Sequence, residues 1–107
     1  MTTFDKREEG FERKFALDEE MKFRAMARRN RMLGAWAAQK LGLSGADADA
    51  YAKAVVASDF EEAGDHDVFR KIRKDFDDKS VAVSDHQIRR TMDELLGKAV
   101  QQLRDEA

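Results

Sequence analysis

The chain has 107 residues, of which 39% are charged, and it contains neither proline nor cysteine. This length suits a single domain, and the charge content without proline favours helices over a turn-rich β-sandwich. The absence of cysteine excludes a disulfide framework, a thiolate metal site and a cysteine nucleophile. The formal net charge of -2 gives no overall attraction to nucleic acid or to an anionic membrane, so neither is expected as a partner.

Residues 1 to 16 form a segment unlike the rest of the chain. Acidic and basic residues surround Phe4, Phe11 and Phe15, which are spaced so that a helix would place them on one stripe. Gly10, in the middle, would weaken such a helix by about 1 kcal/mol relative to alanine. We therefore expect a mobile arm in the free protein that becomes helical when its phenylalanines enter an apolar groove of a partner. The alternative is a helix that folds back on the bundle.

Four helices are predicted after the arm, at about 17–41, 45–62, 66–77 and 85–104. Each carries apolar residues at a spacing of three or four, so each has one face to bury against the others. The predicted fold class is therefore all-α, a four-helix bundle that carries a mobile N-terminal arm.

Several residues mark where these helices begin and end. Gly42 is expected in the left-handed conformation that ends the first helix, and Ser44 is expected to cap the second. The strongest start signal is at the fourth helix, where Ser84 is the predicted cap and Val83 is expected to pack against Ile88.

The beginning of the chain lacks the apolar core of a secretory signal, and no stretch approaches the roughly 20 apolar residues that span a membrane. The chain is therefore expected in the cytoplasm without inserting into a membrane.

Ser84 and His86 belong to a helix start that capping already explains, and the acidic stretch 59–67 lacks the ligand spacing of a calcium loop. We expect no catalytic residue, no bound metal and no cofactor.

A helix-turn-helix is suggested by the apolar spacing around Gly42, but its recognition helix would begin with Asp47 and Asp49. Carboxylates there would repel phosphates and would not supply the side chains that usually read bases. This supports the expectation that the chain does not bind nucleic acid.

A basic cluster lies on the first helix and contains four candidate anion-binding residues, Arg24, Arg28, Arg29 and Arg31. Such a cluster can hold a phosphate or an acidic protein surface. We favour an ordinary solvated face, or one paired internally, because many acidic residues are available.

Several short runs, in the arm and after it, are similar to those of a known family. The runs concerned are Phe4-Asp5, Arg7-Glu8, Gly10-Phe11-Glu12, Lys14-Phe15-Ala16 and Asp18-Glu19-Glu20. Together with later runs, among them Ala27-Arg28-Arg29-Asn30, Trp36-Ala37-Ala38 and Ala50-Tyr51-Ala52, they resemble the zeta inhibitor family of bacterial F-type ATP synthases.

The resemblance implies a regulatory protein that inhibits ATP hydrolysis and is not itself an enzyme. Its arm would enter the interface between the alpha and beta subunits of the catalytic head, near the gamma stalk, on the cytoplasmic face of the membrane. The implied partner-binding residues are Phe4, Arg7, Glu8, Phe11, Lys14 and Phe15. The alternative hypothesis is a helical bundle whose basic first helix binds a nucleotide, weakly, or another anionic ligand.

Overall fold

The computed structural model describes residues 19–59 and 66–106. These residues form four helices, α1 (Glu19–Lys40), α2 (Gly45–Ser58), α3 (His66–Asp78) and α4 (Asp85–Glu106), and no strand. Helices α1 and α3 each pack against both α2 and α4, which closes a four-helix bundle. The predicted all-α fold is thereby confirmed for this part of the chain. The predicted arm, the first two residues of the predicted first helix and residues 60–65 lie outside the described residues.

The end of α1 has the geometry that the sequence predicts. Gly42 has φ 79°. Its N–H donates to the carbonyl oxygen of Gln39 at 3.1 Å, and the N–H of Leu43 donates to that of Ala38 at 2.9 Å. This pair of bonds is a Schellman motif, which satisfies carbonyls that the helix leaves without partners.

The end of α3 uses the same motif without a glycine. Ser80 has φ 57°, its N–H donates to the oxygen of Asp77 at 3.1 Å, and the N–H of Val81 donates to that of Phe76 at 2.8 Å. A left-handed serine is unfavourable in isolation. Here Val81 packs against the core and helps to hold the turn in place.

The caps of α2 and α4 differ. The hydroxyl of Ser84 accepts a hydrogen bond from the Gln87 N–H at 3.1 Å, as predicted. Ser44 occupies the N-cap position of α2 in extended conformation, but the prediction that its side chain caps the helix is wrong, because the side chain makes no capping bond. Its backbone carbonyl still accepts the first bond of the helix, from the N–H of Ala48.

Two helices have different lengths from those predicted. Helix α2 ends at Ser58, before the predicted residue 62. The hydroxyl of Ser58 donates to the oxygen of Val55 at 2.6 Å, and the N–H of Asp59 donates to that of Val56 at 3.3 Å, so the final turn is tightened. Helix α4 continues to Glu106, two residues beyond the predicted end, and Glu106 is anchored there by Arg28.

The core receives buried side chains from all four helices. Leu33, Val55, Ile72, Phe76 and Ile88 are fully buried. Trp36 and Leu95, which are partly buried, pack against this cluster. The Trp36 ring meets the Phe76 ring edge to face, with centroids 5.7 Å apart.

The closest approach between α1 and α2 is at Gly34. A Cβ atom at this position would lie 2.6 Å from the Cα of Ala52, which is closer than two carbon atoms can approach. Glycine is therefore required here for the two helices to pack at this distance.

Among the helices of residues 19–59 and 66–106, none is long and apolar enough to cross a membrane.

Candidate partner-binding site

The six partner-binding residues predicted in the arm are Phe4, Arg7, Glu8, Phe11, Lys14 and Phe15, and all lie outside the described residues. Helix α1 begins at Glu19, three residues after the end of the predicted arm in the sequence. It carries the four arginines of the basic cluster, which the structure does describe.

Arg24 and Arg28 are both paired with carboxylates of the same chain. The guanidinium of Arg24 contacts Glu20 at 2.7 Å, one turn earlier on α1. Arg28 donates to the two carboxylate oxygens of Glu106 at 2.9 and 3.1 Å, which ties α1 to the end of α4. These hydrogen bonds and the positive charge of Arg28 hold the pKa of the Glu106 carboxyl below its ordinary value.

Arg29 is fully buried, so it does not share a surface with the other three arginines. Its Nε donates to the Oδ1 of Asn30 at 2.7 Å, and Asn30 is itself buried. A buried charged group with polar contacts of this kind is part of the interior of a bundle. The helical spacing of the sequence could not reveal this, because an arginine is rarely fully buried.

Arg31 is exposed and lies beside a surface cavity of about 370 Å³. The apolar residues that line the cavity are Phe23, Ala27, Met32, Val56 and Leu103. Phe23 keeps 64% of its surface exposed, which is unusual for a phenylalanine in a folded domain. Sequence reasoning missed Phe23 as a site residue; the available signal was an aromatic residue between Lys22 and Arg24 on an otherwise charged face.

Polar contacts between helices hold the rest of the bundle together. The Tyr51 hydroxyl on α2 donates to Asp75 on α3 at 2.7 Å, and the Lys71 ammonium contacts the same carboxylate oxygen at 3.1 Å. Burial, followed by the hydrogen bond to Asp75 and the negative charge of Asp75, raises the pKa of Tyr51. The phenol therefore stays protonated and can donate to Asp75 at neutral pH.

Arg73 links α3 to the beginning of α4. Its guanidinium donates to the backbone oxygen of Val83 at 2.7 Å and to the carboxylates of Asp85 and Asp77 at 2.9 and 2.8 Å. Hydrogen bonds to Asp85, and then to Asp77, raise the pKa of Arg73.

The described residues contain no group of three or more histidines and acidic residues placed to hold a metal ion.

In the described part of the chain, many charged groups on the helices pair with one another, and α1 leaves Phe23 and Arg31 exposed. This arrangement defines a small helical bundle suited to binding another protein. Residues 1–102 match the family of the ATPase inhibitor subunit zeta. The chain belongs to this family, and as a member it is a regulatory subunit that inhibits an ATPase, which implies that it binds the ATP synthase.

The fold agrees with a solved relative. A protein whose structure was determined in solution by NMR is 46% identical to this chain, with a TM-score of 0.72. The similarity covers 81% of this chain and 99% of the other. A comparison with curated proteins gave no match.

Proposed function

We propose that the protein inhibits ATP hydrolysis by the F-type ATP synthase by inserting residues 1 to 16, as a helix, between the alpha and beta subunits of the catalytic head near the gamma stalk. The observation that carries the proposal is that the family match covers the arm as well as the bundle. The bundle supports it because the described residues already form a core to which all four helices contribute.

Inhibition of this kind needs no chemistry from the inhibitor. A helix wedged into a catalytic interface binds one conformation of that interface more tightly than the others. It stabilises that conformation by the difference between these binding free energies. Rotation of the gamma stalk requires each interface to pass through all of its conformations in turn. The wedge therefore stops the cycle, and ATP hydrolysis with it.

The six arm residues have two kinds of role in this proposal. Phe4, Phe11 and Phe15 fill apolar pockets at the interface and supply most of the binding energy. The charged residues Arg7, Glu8 and Lys14 pair with the rim of the groove and fix the register of the helix. The protein then works in the cytoplasm, held at the cytoplasmic face of the membrane by the synthase.

A hydrolysis assay on the cognate catalytic head tests the proposal. The full chain should reduce ATP hydrolysis, and Phe11→Ala and Phe15→Ala should each weaken inhibition more than Glu9→Ala. Buried aromatic anchors commonly contribute about 2 kcal/mol or more to binding, whereas rim charges contribute below about 1 kcal/mol. Equal effects of the three substitutions would contradict the assigned roles.

The location at the alpha/beta interface can be tested by photo-cross-linking. A photoreactive phenylalanine analogue at position 11 should label the alpha or beta subunit of the inhibited head. The same analogue at position 36 replaces Trp36, which packs against the bundle core, and should label neither. Labelling from position 11 confined to other subunits would contradict the proposed location.

The alternative is that the basic first helix binds a nucleotide or another anion. Arg31 is the one member of the cluster with an exposed guanidinium and no ion pair among the described residues, since Arg24 and Arg28 bind carboxylates and Arg29 is buried. An anion would have to compete with Glu106 for Arg28. Isothermal titration with ATP tests this alternative, and Arg31→Ala should remove any binding heat that it produces.

A further inference from the structure

We infer that a surface on α1, formed by Phe23, Ala27 and Arg31 together with Val56 of α2, is a second contact with the catalytic head. We call these four residues the α1 patch. The inference rests on the proposed function, because it assigns a further part of the same partner interface. According to this inference, the bundle binds the catalytic head in addition to the arm.

The α1 patch contains exposed side chains and lines a surface cavity. Phe23, Ala27 and Arg31 are four residues apart and therefore lie along one side of α1. With Val56 they line the cavity of about 370 Å³. Phe23 is the large apolar side chain that the described residues leave exposed, at 64%. An aromatic residue beside an open cavity gains most by burial against another protein.

The charges around the α1 patch indicate what kind of surface it fits. Arg24 and Arg28 are already neutralised by Glu20 and Glu106. Arg31 is exposed and makes no ion pair within the part of the chain that the structure describes. The complementary surface is therefore apolar where it covers Phe23 and carries a carboxylate within reach of Arg31.

The position of the α1 patch in the chain identifies the occupant as the surface that receives the arm. Phe15 and Phe23 are eight residues apart, or about 12 Å along a continuous helix. On such a helix Phe23 lies about two turns from Phe15, so a partner surface that covers Phe15 would be within reach of Phe23. The sequence has no proline, and between Gly10 and Glu19 it has no glycine, so nothing in this stretch favours a sharp reversal of the chain. An arm helix would therefore continue in line with α1 towards the partner.

The test compares the affinities of full-length variants for the catalytic head. Phe23→Ala should weaken binding and inhibition roughly tenfold, and Arg31→Ala roughly threefold. Lys40→Ala is the matched control, because it removes an exposed cation at the other end of the same helix, and it should change neither. Circular dichroism should show the same helix content for all variants, since Phe23, Arg31 and Lys40 are exposed.

The outcomes separate this inference from the proposed function. A wild-type chain that does not bind the head overturns both. If the wild-type chain inhibits and Phe23→Ala is equally potent, the α1 patch is not a contact, while the proposed function stands. If Phe23→Ala inhibits more strongly, the α1 patch holds the arm back, and the inference is wrong. A loss of self-association in sedimentation, with unchanged affinity for the head, would assign the α1 patch to a second copy of the chain and also overturn the inference.

Discussion

The two halves of α1 bury very different residues, although they belong to one helix. The C-terminal half buries four small or aliphatic residues, Leu33, Gly34, Ala37 and Ala38, and packs closely against α2. The N-terminal half buries Ala25 and Arg29 and leaves Phe23 exposed, and Asn30, at the middle of the helix, is buried as well. Different residues of α1 therefore have different roles. Some hold the bundle together, and others remain available for a partner. Stability and inhibition should therefore respond to different substitutions.

The largest loss of stability is expected in the C-terminal half. Leu33→Ala removes a side chain with no exposed surface and should lower the free energy of unfolding by about 2 to 5 kcal/mol. Met32→Ala, at the adjacent half-buried position, should cost clearly less, since it removes less buried surface. Urea unfolding followed by circular dichroism measures both, and equal losses would mean that the core does not depend on Leu33 more than on its half-buried neighbour.

A pair of identical substitutions examines the contact between α1 and α2. Gly34→Ala forces a Cβ against the Ala52 backbone and should destabilise the bundle by about 1 to 3 kcal/mol. Gly97→Ala on α4 meets nothing within 4 Å and should stabilise it by about 0.5 to 1 kcal/mol through helix propensity. If both substitutions shifted the thermal midpoint in the same direction, α1 and α2 would not be in close contact at Gly34.

A smaller effect is expected at the hydrogen bond between α2 and α3. Tyr51→Phe removes the bond to Asp75 and should cost about 0.5 to 1.5 kcal/mol at neutral pH. Because folding raises the pKa of Tyr51, its contribution is fully present below the ordinary tyrosine pKa of about 10 and decreases at higher pH, where the unfolded state ionises first.

Stability measured between pH 9 and 11 checks this pH dependence. The wild-type chain should lose stability more steeply than Tyr51→Phe over this range. Tyr51 is the only tyrosine of the chain, so tyrosinate absorbance follows this group alone. Ionisation of the folded protein at the ordinary pKa would show that the phenol is neither buried nor bonded to Asp75.

The smallest effect is expected at the exposed end of α4. Glu106→Gln weakens the pair with Arg28 and should lower the thermal midpoint only slightly, because exposed ion pairs are screened by solvent. The pKa of Glu106 is lowered by folding, so its contribution is present above the ordinary carboxyl pKa and is lost as the pH falls through the lowered value. The difference between variant and wild type should disappear in acid; a difference that persists there would have another cause.

The sequence predicts the fold well because its signals are local. Gly42 needs only its own conformational freedom to end α1, and Ser84 needs only the backbone of the next turn to cap α4. Apolar residues four apart on α3, such as Val68, Ile72 and Phe76, are all buried as their spacing predicts.

Properties that depend on contacts between helices could not be predicted in this way. One local signal also failed, because Ser44 has the right type and position for a cap but makes no capping bond. Arg29 resembles its neighbours in sequence and is nonetheless buried, whereas Phe23 is exposed. The pair between Arg28 and Glu106 joins residues 78 positions apart, and no local pattern indicates it. The arm's partner-binding residues lie outside the described residues and stay predictions.

Deleting residues 1 to 15 tests the separation of fold and inhibition most directly. The truncated chain should keep the circular dichroism spectrum and thermal unfolding of the bundle, because the described core uses residues from Leu33 onward. It should no longer inhibit ATP hydrolysis by the cognate catalytic head, even where the full chain inhibits completely. A folded truncated chain that inhibits at the same concentration as the full chain would contradict the account and would place the inhibitory site on the bundle.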